Sequence, residues 1–174
     1  MNVTALSLPV VLPEAIIAAG VLALIFYGAL RGERTRGLVA EIAVGLLAAA
    51  LAVVVADQRE AAATFFGAFV DDPFSRFMKA LALIGSLVTL VLSIDFMRNE
   101  KIGGFEFPVL ILLATLGMMM LISAGDFIAL YLGLELMSLS LYVIAAYRRG
   151  RGAARPRQPR RRLRPRLRPG RPRL

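Results

Sequence analysis

A single carboxylate lies in the middle of the apolar stretch "YLGLELMSLSLYVIAA", which runs from Tyr131 to Ala146. In hydrocarbon a charged side chain costs about 2.5–3.5 kcal/mol on insertion scales, so the placement of Glu135 needs a reason. A buried carboxyl group can take up and release a proton. Polar side chains stand at −4, +3 and +7 from it, and this helical spacing predicts a polar stripe on one face: Tyr131, Ser138 and Tyr142.

Two interpretations of this stripe remain open. Its polar side chains either form hydrogen bonds where two helices pack together or bind protons along a proton path. A glutamate is costly to bury where a neutral polar residue could form the same contact, so the sequence favours the proton path. Glu135 is then the main site residue, with Tyr131, Ser138 and Tyr142 as weaker candidates.

Other ionisable side chains lie near the predicted helix starts. Lys79 is within two turns of such a start and either snorkels to the outer surface or faces inward as a further candidate for the proton path. Asp126 is predicted to cap the last apolar helix through its free backbone N–H groups, and Glu14 to do the same at the first.

The elements that must position these residues are membrane-spanning helices. Hydrophobic residues make up 58% of the 174, and the mean hydropathy is +0.70. A spanning helix needs roughly 20 apolar residues, within a range of about 17–25. Five such helices leave too little polar surface for a soluble bundle, so the predicted fold is an all-α polytopic membrane protein. Its spans cover about residues 10–30, 38–56, 74–94, 105–123 and 127–146.

The distribution of basic residues orients these helices. The loops after the first and third spans carry five of them: Arg31, Arg34, Arg36, Arg98 and Lys101. The opposite side has Arg59 and Arg76, surrounded by acidic residues. The positive-inside rule therefore predicts that the amino terminus lies outside and that the fifth helix ends in the cytoplasm.

The chain has no cysteine and no histidine. Disulfides, thiolate metal sites and the commonest haem ligand are thus excluded. We expect no cofactor-binding and no metal-binding residues in this chain.

Three segments resemble a known family, the membrane-arm subunit N of bacterial NADH–quinone oxidoreductase (respiratory complex I). They are "LPE" at Leu12–Glu14, "DDPFSRFMK" at Asp71–Lys79 and "ATLGMMMLISAGDFIALYLGLELMSLSLYVIAAYRR" at Ala114–Arg149. The similarity covers about residues 10–149. The motif "GLELMSL" is shared in looser form by sister subunits L and M and by sodium/proton antiporters.

The resemblance implies an enzyme subunit that couples electron transfer from NADH to quinone with proton translocation. Glu135 matches the family's fifth-helix glutamate, which pairs with a lysine on a later, broken helix. NAD, FMN, iron–sulfur clusters and quinone would belong to the rest of the complex. The implied partners are the other membrane subunits and the lipid bilayer, without specific nucleic acid, and the implied location is the bacterial inner membrane.

Here the chain departs from the family pattern. The later helices are absent after Ala146, which predicts a truncated fragment that cannot form a complete proton channel alone. Two rival functions stay open: a subunit of a cation/proton antiporter or membrane hydrogenase, and a non-enzymatic membrane anchor whose basic tail binds anions.

The tail, residues 148–174, has a different composition from the rest. It holds 13 of the 21 basic residues, five prolines and no acid, which leaves 8 basic and 12 acidic residues in 1–147. Such a segment is predicted to be disordered. It either binds anionic lipid or nucleic acid through charge or is a frameshift product, because all its residue types have codons beginning with G or C. We favour the frameshift, which the other two reading frames around codon 150 would test.

Overall fold

The protein is described by a computed structural model that covers residues 10–31, 36–57, 61–100 and 106–153. These residues form an antiparallel series of helices with one small hairpin, which confirms the predicted all-α fold. The helices are α1 (Leu12–Arg31), α2 (Arg36–Ala56), α3 (Pro73–Glu100), α4 (Glu106–Ile122) and α5 (Phe127–Ala153). Strands β1 (Ala62–Thr64) and β2 (Phe69–Asp71) form the hairpin between α2 and α3.

Four of the helices in the described ranges are long and apolar enough to cross a membrane: α1, α2, α3 and α5. The remaining helix, α4, has 17 residues and stands at the lower end of the usable range. It is also the helix that contacts all four others. Its neighbours shield it from the surroundings, so it forms the centre of the bundle.

Two helices are longer than the predicted spans. α3 continues to Glu100 and α5 to Ala153, whereas the apolar windows end at residues 94 and 146. Hydropathy marks only the part of a helix that suits hydrocarbon, and arginine and alanine continue a helix well. Residues 148–153 therefore belong to α5, which extends into the segment whose disorder the sequence predicts. Residues 154–174 lie outside the described residues, and their disorder stays a prediction.

The core lies between α1, α2, α3 and α4, where large apolar side chains are fully buried: Ile17, Leu47, Leu83, Leu90, Leu112 and Met119. Other large apolar side chains point outward, among them Phe26 at 69% exposure. Lipid tails are as apolar as these side chains, so helix association relies on close packing and hydrogen bonds. One such bond joins α3 to α4, where the Thr115 hydroxyl donates to Ser86 Oγ at 2.8 Å.

Two glycines set the position of α5, which packs mainly against α4. A Cβ on Gly117 would lie 2.6 Å from the backbone nitrogen of Met137 and 2.9 Å from the carbonyl oxygen of Gly133. A Cβ on Gly133 would lie 2.8 Å from the backbone nitrogen of Leu121. The two helix backbones thus approach more closely than any side chain at the crossing would permit.

The hairpin was not predicted from the sequence. Its turn is made by Phe65 and Phe66, whose φ angles of 54° and 57° are unusual for bulky residues, and by Gly67 at 93°. Val70 donates its N–H to the carbonyl of Ser123 at 2.8 Å, and this bond ties the hairpin to the α4–α5 turn. The hairpin thereby brings Asp71 to the start of α3.

Candidate functional site

The candidate proton path lies on α5, which begins at Asp126. The Ala129 N–H donates to Asp126 Oδ1 at 2.6 Å, so the carboxylate caps the helix as predicted. From Phe127 the helix continues without a break past Glu135. An unbroken helix of about 3.6 residues per turn holds the four residues of the predicted stripe on one face.

This stripe faces away from the helix on which α5 packs. Gly133 and Ser140 are buried against the bundle, and at about 100° per residue Glu135 lies on the opposite side. Tyr131 is 59% and Tyr142 70% exposed, while Glu135 and Ser138 are half-buried. The described helices therefore bring the four predicted residues together but do not enclose them.

Within the stripe, Tyr131 and Glu135 stand one turn apart, the spacing at which two side chains on one helix are neighbours. A phenol at this spacing is able to donate a hydrogen bond to a carboxylate. The face that carries both residues points away from the described bundle.

Lys79 faces inward and does not snorkel to the surface. Its side chain is 1% exposed, and Nζ lies 2.8 Å from Glu14 Oε1 and 3.2 Å from Asp71 Oδ1. The same ammonium lies 4.9 Å from the centroid of the Phe69 ring, within cation–π range. Lys79 therefore sits in an ion cluster of its own rather than on the α5 stripe.

The predicted capping role of Glu14 is wrong. The residue is 4% exposed and its carboxylate turns toward Lys79. Burying a charge without a counter-charge costs much free energy, so the ion pair with Lys79 outweighs a helix cap. Sequence reasoning also missed Asp71, whose Oδ2 accepts a hydrogen bond from Arg76 Nε at 3.0 Å. The only available signal was the three-residue spacing of Arg76 and Lys79, which places both on one face of α3.

Next to this cluster, Asp72 caps the start of α3. The Ser75 N–H donates to Asp72 Oδ1 at 2.6 Å, and the Asp72 N–H donates to Ser75 Oγ at 2.9 Å. This reciprocal pair fixes the entry of the chain into α3. The hydrogen bond from the Ser75 backbone, aided by the Ser75 side chain, holds the pKa of Asp72 below its usual value.

No protein-family model matches the chain, but individual relatives do. NADH-quinone oxidoreductase subunit N of Beijerinckia indica is 58% identical over 146 residues, which are 82% of this chain and 31% of the relative. The subunit of the same name from Rhodospirillum rubrum is 50% identical over 151 residues, 86% of this chain. These matches confirm the resemblance to subunit N.

A solved structure agrees with the sequence comparison. A chain of respiratory complex I from Thermus thermophilus with bound Aureothin superposes with a TM-score of 0.66 at 33% identity. The match covers 80% of this chain and 30% of that chain. This chain thus spans about a third of the length of the proteins it matches.

Proposed function

We propose that this chain, a homologue of NADH-quinone oxidoreductase subunit N over most of its length, works in the membrane arm of complex I as part of a proton-translocating subunit. The observation that carries the proposal is the position of Glu135. It is a carboxylate in the middle of an apolar helix, one turn from Tyr131 and turned away from the helix that packs behind it.

In this role Glu135 takes up a proton, keeps it while its surroundings are apolar and releases it when a cation approaches. A nearby positive charge favours the ionised carboxylate, and its withdrawal favours the protonated form. The free side of α5 is where this cation approaches. The resemblance to subunit N implies that a lysine on a later helix supplies it.

The redox chemistry of the complex is assigned to other subunits. Iron–sulfur clusters are held by cysteine, with histidine in some centres, and this sequence has neither. The resemblance to subunit N implies that NADH, flavin and quinone are also bound by other subunits. The contribution of this chain is then to move a proton in response to a distant reaction. Its partners are the neighbouring membrane subunits and the lipid of the bacterial inner membrane.

The test is a chimera in which residues 1–147 of this chain replace the matching segment of the Beijerinckia indica subunit, assembled into complex I in sealed vesicles. We expect Glu135→Gln to lower NADH-driven proton uptake about tenfold or more, because glutamine cannot carry the proton. Glu41→Gln is the matched control, since Glu41 is an exposed glutamate on α2. Undiminished proton uptake in the assembled Glu135→Gln complex would refute the proposal.

A further inference from the structure

Four charged side chains form a buried cluster where α1 and α3 begin. Lys79, Glu14, Asp71 and Arg76 have side-chain exposures of 1%, 5%, 6% and 11%. The two negative and two positive charges sum to zero when all four side chains are ionised. Buried ionic groups are costly to remove from water, so each needs its partners close by.

The two carboxylates in this cluster are not equally satisfied. Asp71 accepts hydrogen bonds on both oxygens, from Lys79 Nζ at 3.2 Å and from Arg76 Nε at 3.0 Å. Glu14 has the Lys79 ammonium 2.8 Å from Oε1, but neither of its oxygens accepts a well-directed hydrogen bond within the described residues. Asp71 therefore has two cations and Glu14 has one, which it shares.

The groups that face Glu14 from the neighbouring elements fit this asymmetry. Lys79 on α3 is 2.8 Å from Glu14 and 3.2 Å from Asp71 on β2. Asp57, which follows α2 at this end of the bundle, is linked to the cluster because Arg76 Nη1 donates to its carbonyl oxygen at 3.1 Å. On the other helices packed against α1, Glu41 and Glu106 are exposed near the opposite end of the bundle. If Lys79 moves fully to Asp71, the Glu14 carboxylate stays buried without a cation, and a buried carboxylate in that state takes up a proton.

We propose that Glu14 is a proton-binding site, separate from Glu135, whose occupancy is set by Lys79 moving between Glu14 and Asp71. When Lys79 contacts Asp71 alone, Glu14 takes a proton from water at this end of the bundle. When Lys79 returns, Glu14 gives that proton back, and Lys79 remains an ammonium throughout. That Glu14 binds a proton does not depend on the proposed function, whereas any part it plays in proton translocation rests on that function.

The experiment uses the full chain in lipid vesicles at pH 7 and records the infrared C=O stretch of protonated carboxyl groups. The Glu14 band is the part of this signal that Glu14→Gln removes, so any signal from a protonated Glu135 is not counted. We expect no Glu14 band from the wild type, a full band from Lys79→Met and a partial band from Arg76→Gln, in which Asp71 draws Lys79 away from Glu14. Adding Glu14→Gln to either variant should remove the band. Transfer to D2O should shift it, because the proton exchanges with water.

Two variants serve as controls. Ser75→Ala removes the hydroxyl 3.5 Å from Asp71 Oδ1 without changing any charge, and it should show no band. Asp71→Asn leaves Lys79 to Glu14 alone and should also show none. Circular dichroism checks the helix content of every variant, and Arg76→Gln decides the question if Lys79→Met does not fold.

The proposal is overturned if folded Lys79→Met or Arg76→Gln protein shows no band that Glu14→Gln removes, or if the band does not shift in D2O. Either result would show that the four side chains form a fixed structural ion cluster in which Glu14 does not exchange a proton with water. The readout involves no NADH oxidation and no pumping. A failure at Glu14 therefore leaves the proposal for Glu135 standing, and a failure at Glu135 leaves Glu14 standing.

Discussion

Glu135 and Lys79 are both ionisable residues in apolar helices, but their surroundings are opposite. Lys79 is enclosed by two carboxylates and an aromatic ring from other elements. Glu135 is half-buried on the face of α5 that points away from α4. Lys79 thus finds its counter-charges inside the bundle, whereas a carboxylate on a free face needs a polar partner from elsewhere because hydrocarbon disfavours its charge.

Asp72 gives a pH prediction at this scale. Its pKa is lower in the folded protein than in the unfolded chain, chiefly through the bond from the Ser75 N–H. The stabilisation is therefore complete above the unfolded pKa of about 3.9 and is lost as the pH falls through the lower folded value. We expect Asp72→Asn to keep the cap, since asparagine also caps helices, and to weaken the loss of thermal stability on acidification below pH 5.

Thermal unfolding in detergent micelles, followed by circular dichroism at several pH values, measures this effect. Asp126→Asn provides a comparison, because Asp126 caps α5 by accepting a backbone N–H in the same way. Identical pH profiles for the wild type and Asp72→Asn would contradict the prediction.

Among the elements, the helices could be predicted from the sequence and the hairpin could not. A run of roughly 20 apolar residues has few alternatives to a helix in a membrane. The first three predicted spans, 10–30, 38–56 and 74–94, therefore lie within α1, α2 and α3 except for the first two residues of the first span. The hairpin has strands of three residues each, which are too short to show a period. Its left-handed turn at Phe65 and Phe66 breaks the usual preference for glycine or asparagine.

The candidate sites divide in the same way. The α5 stripe was predictable because its four residues belong to one helix, where spacing alone decides which side chains share a face. The ion cluster joins Glu14 to Lys79, which are far apart in sequence, through an Asp71 that the hairpin positions. Contacts between elements depend on how the helices pack, and a single sequence carries no local pattern for them.

The α4–α5 crossing gives a prediction at the scale of elements. Gly117→Ala would place a Cβ against backbone atoms of Met137 and Gly133, which cannot move without separating the helices. Overpacking of this kind costs typically about 1–3 kcal/mol. We expect a lower melting temperature in detergent and weaker protection of α5 from hydrogen exchange.

Gly45→Ala is the matched control, because a Cβ there meets nothing within 4 Å. Alanine is better than glycine inside a helix by about 0.5–1 kcal/mol, so this variant should be as stable as the wild type or slightly more so. Equal losses in the two variants would show that the close crossing does not stabilise the protein.

In the molecule as a whole, the two ends of the bundle have different chemistry. One end gathers the hairpin, the α4–α5 turn and the buried ion cluster, which hydrogen bonds and ion pairs link together. At the other end, α1 connects to α2 and α3 connects to α4 through segments whose sequences contain Arg34 and Lys101. The positive-inside rule predicts that this end faces the cytoplasm.

This orientation leads to a prediction that the chain is well suited to test, because it has no cysteine of its own. Phe66 is 86% exposed at the tip of the hairpin, and Thr35 lies in the basic loop between α1 and α2. We expect a membrane-impermeant maleimide to label Phe66→Cys in intact bacterial cells and Thr35→Cys only after the membrane is opened. The cysteine-free parent measures background labelling, and each variant labelled after solubilisation shows that its thiol is reactive. The reverse pattern would place the hairpin and the ion cluster in the cytoplasm, and any proton that Glu14 exchanges would then come from the cytoplasmic side.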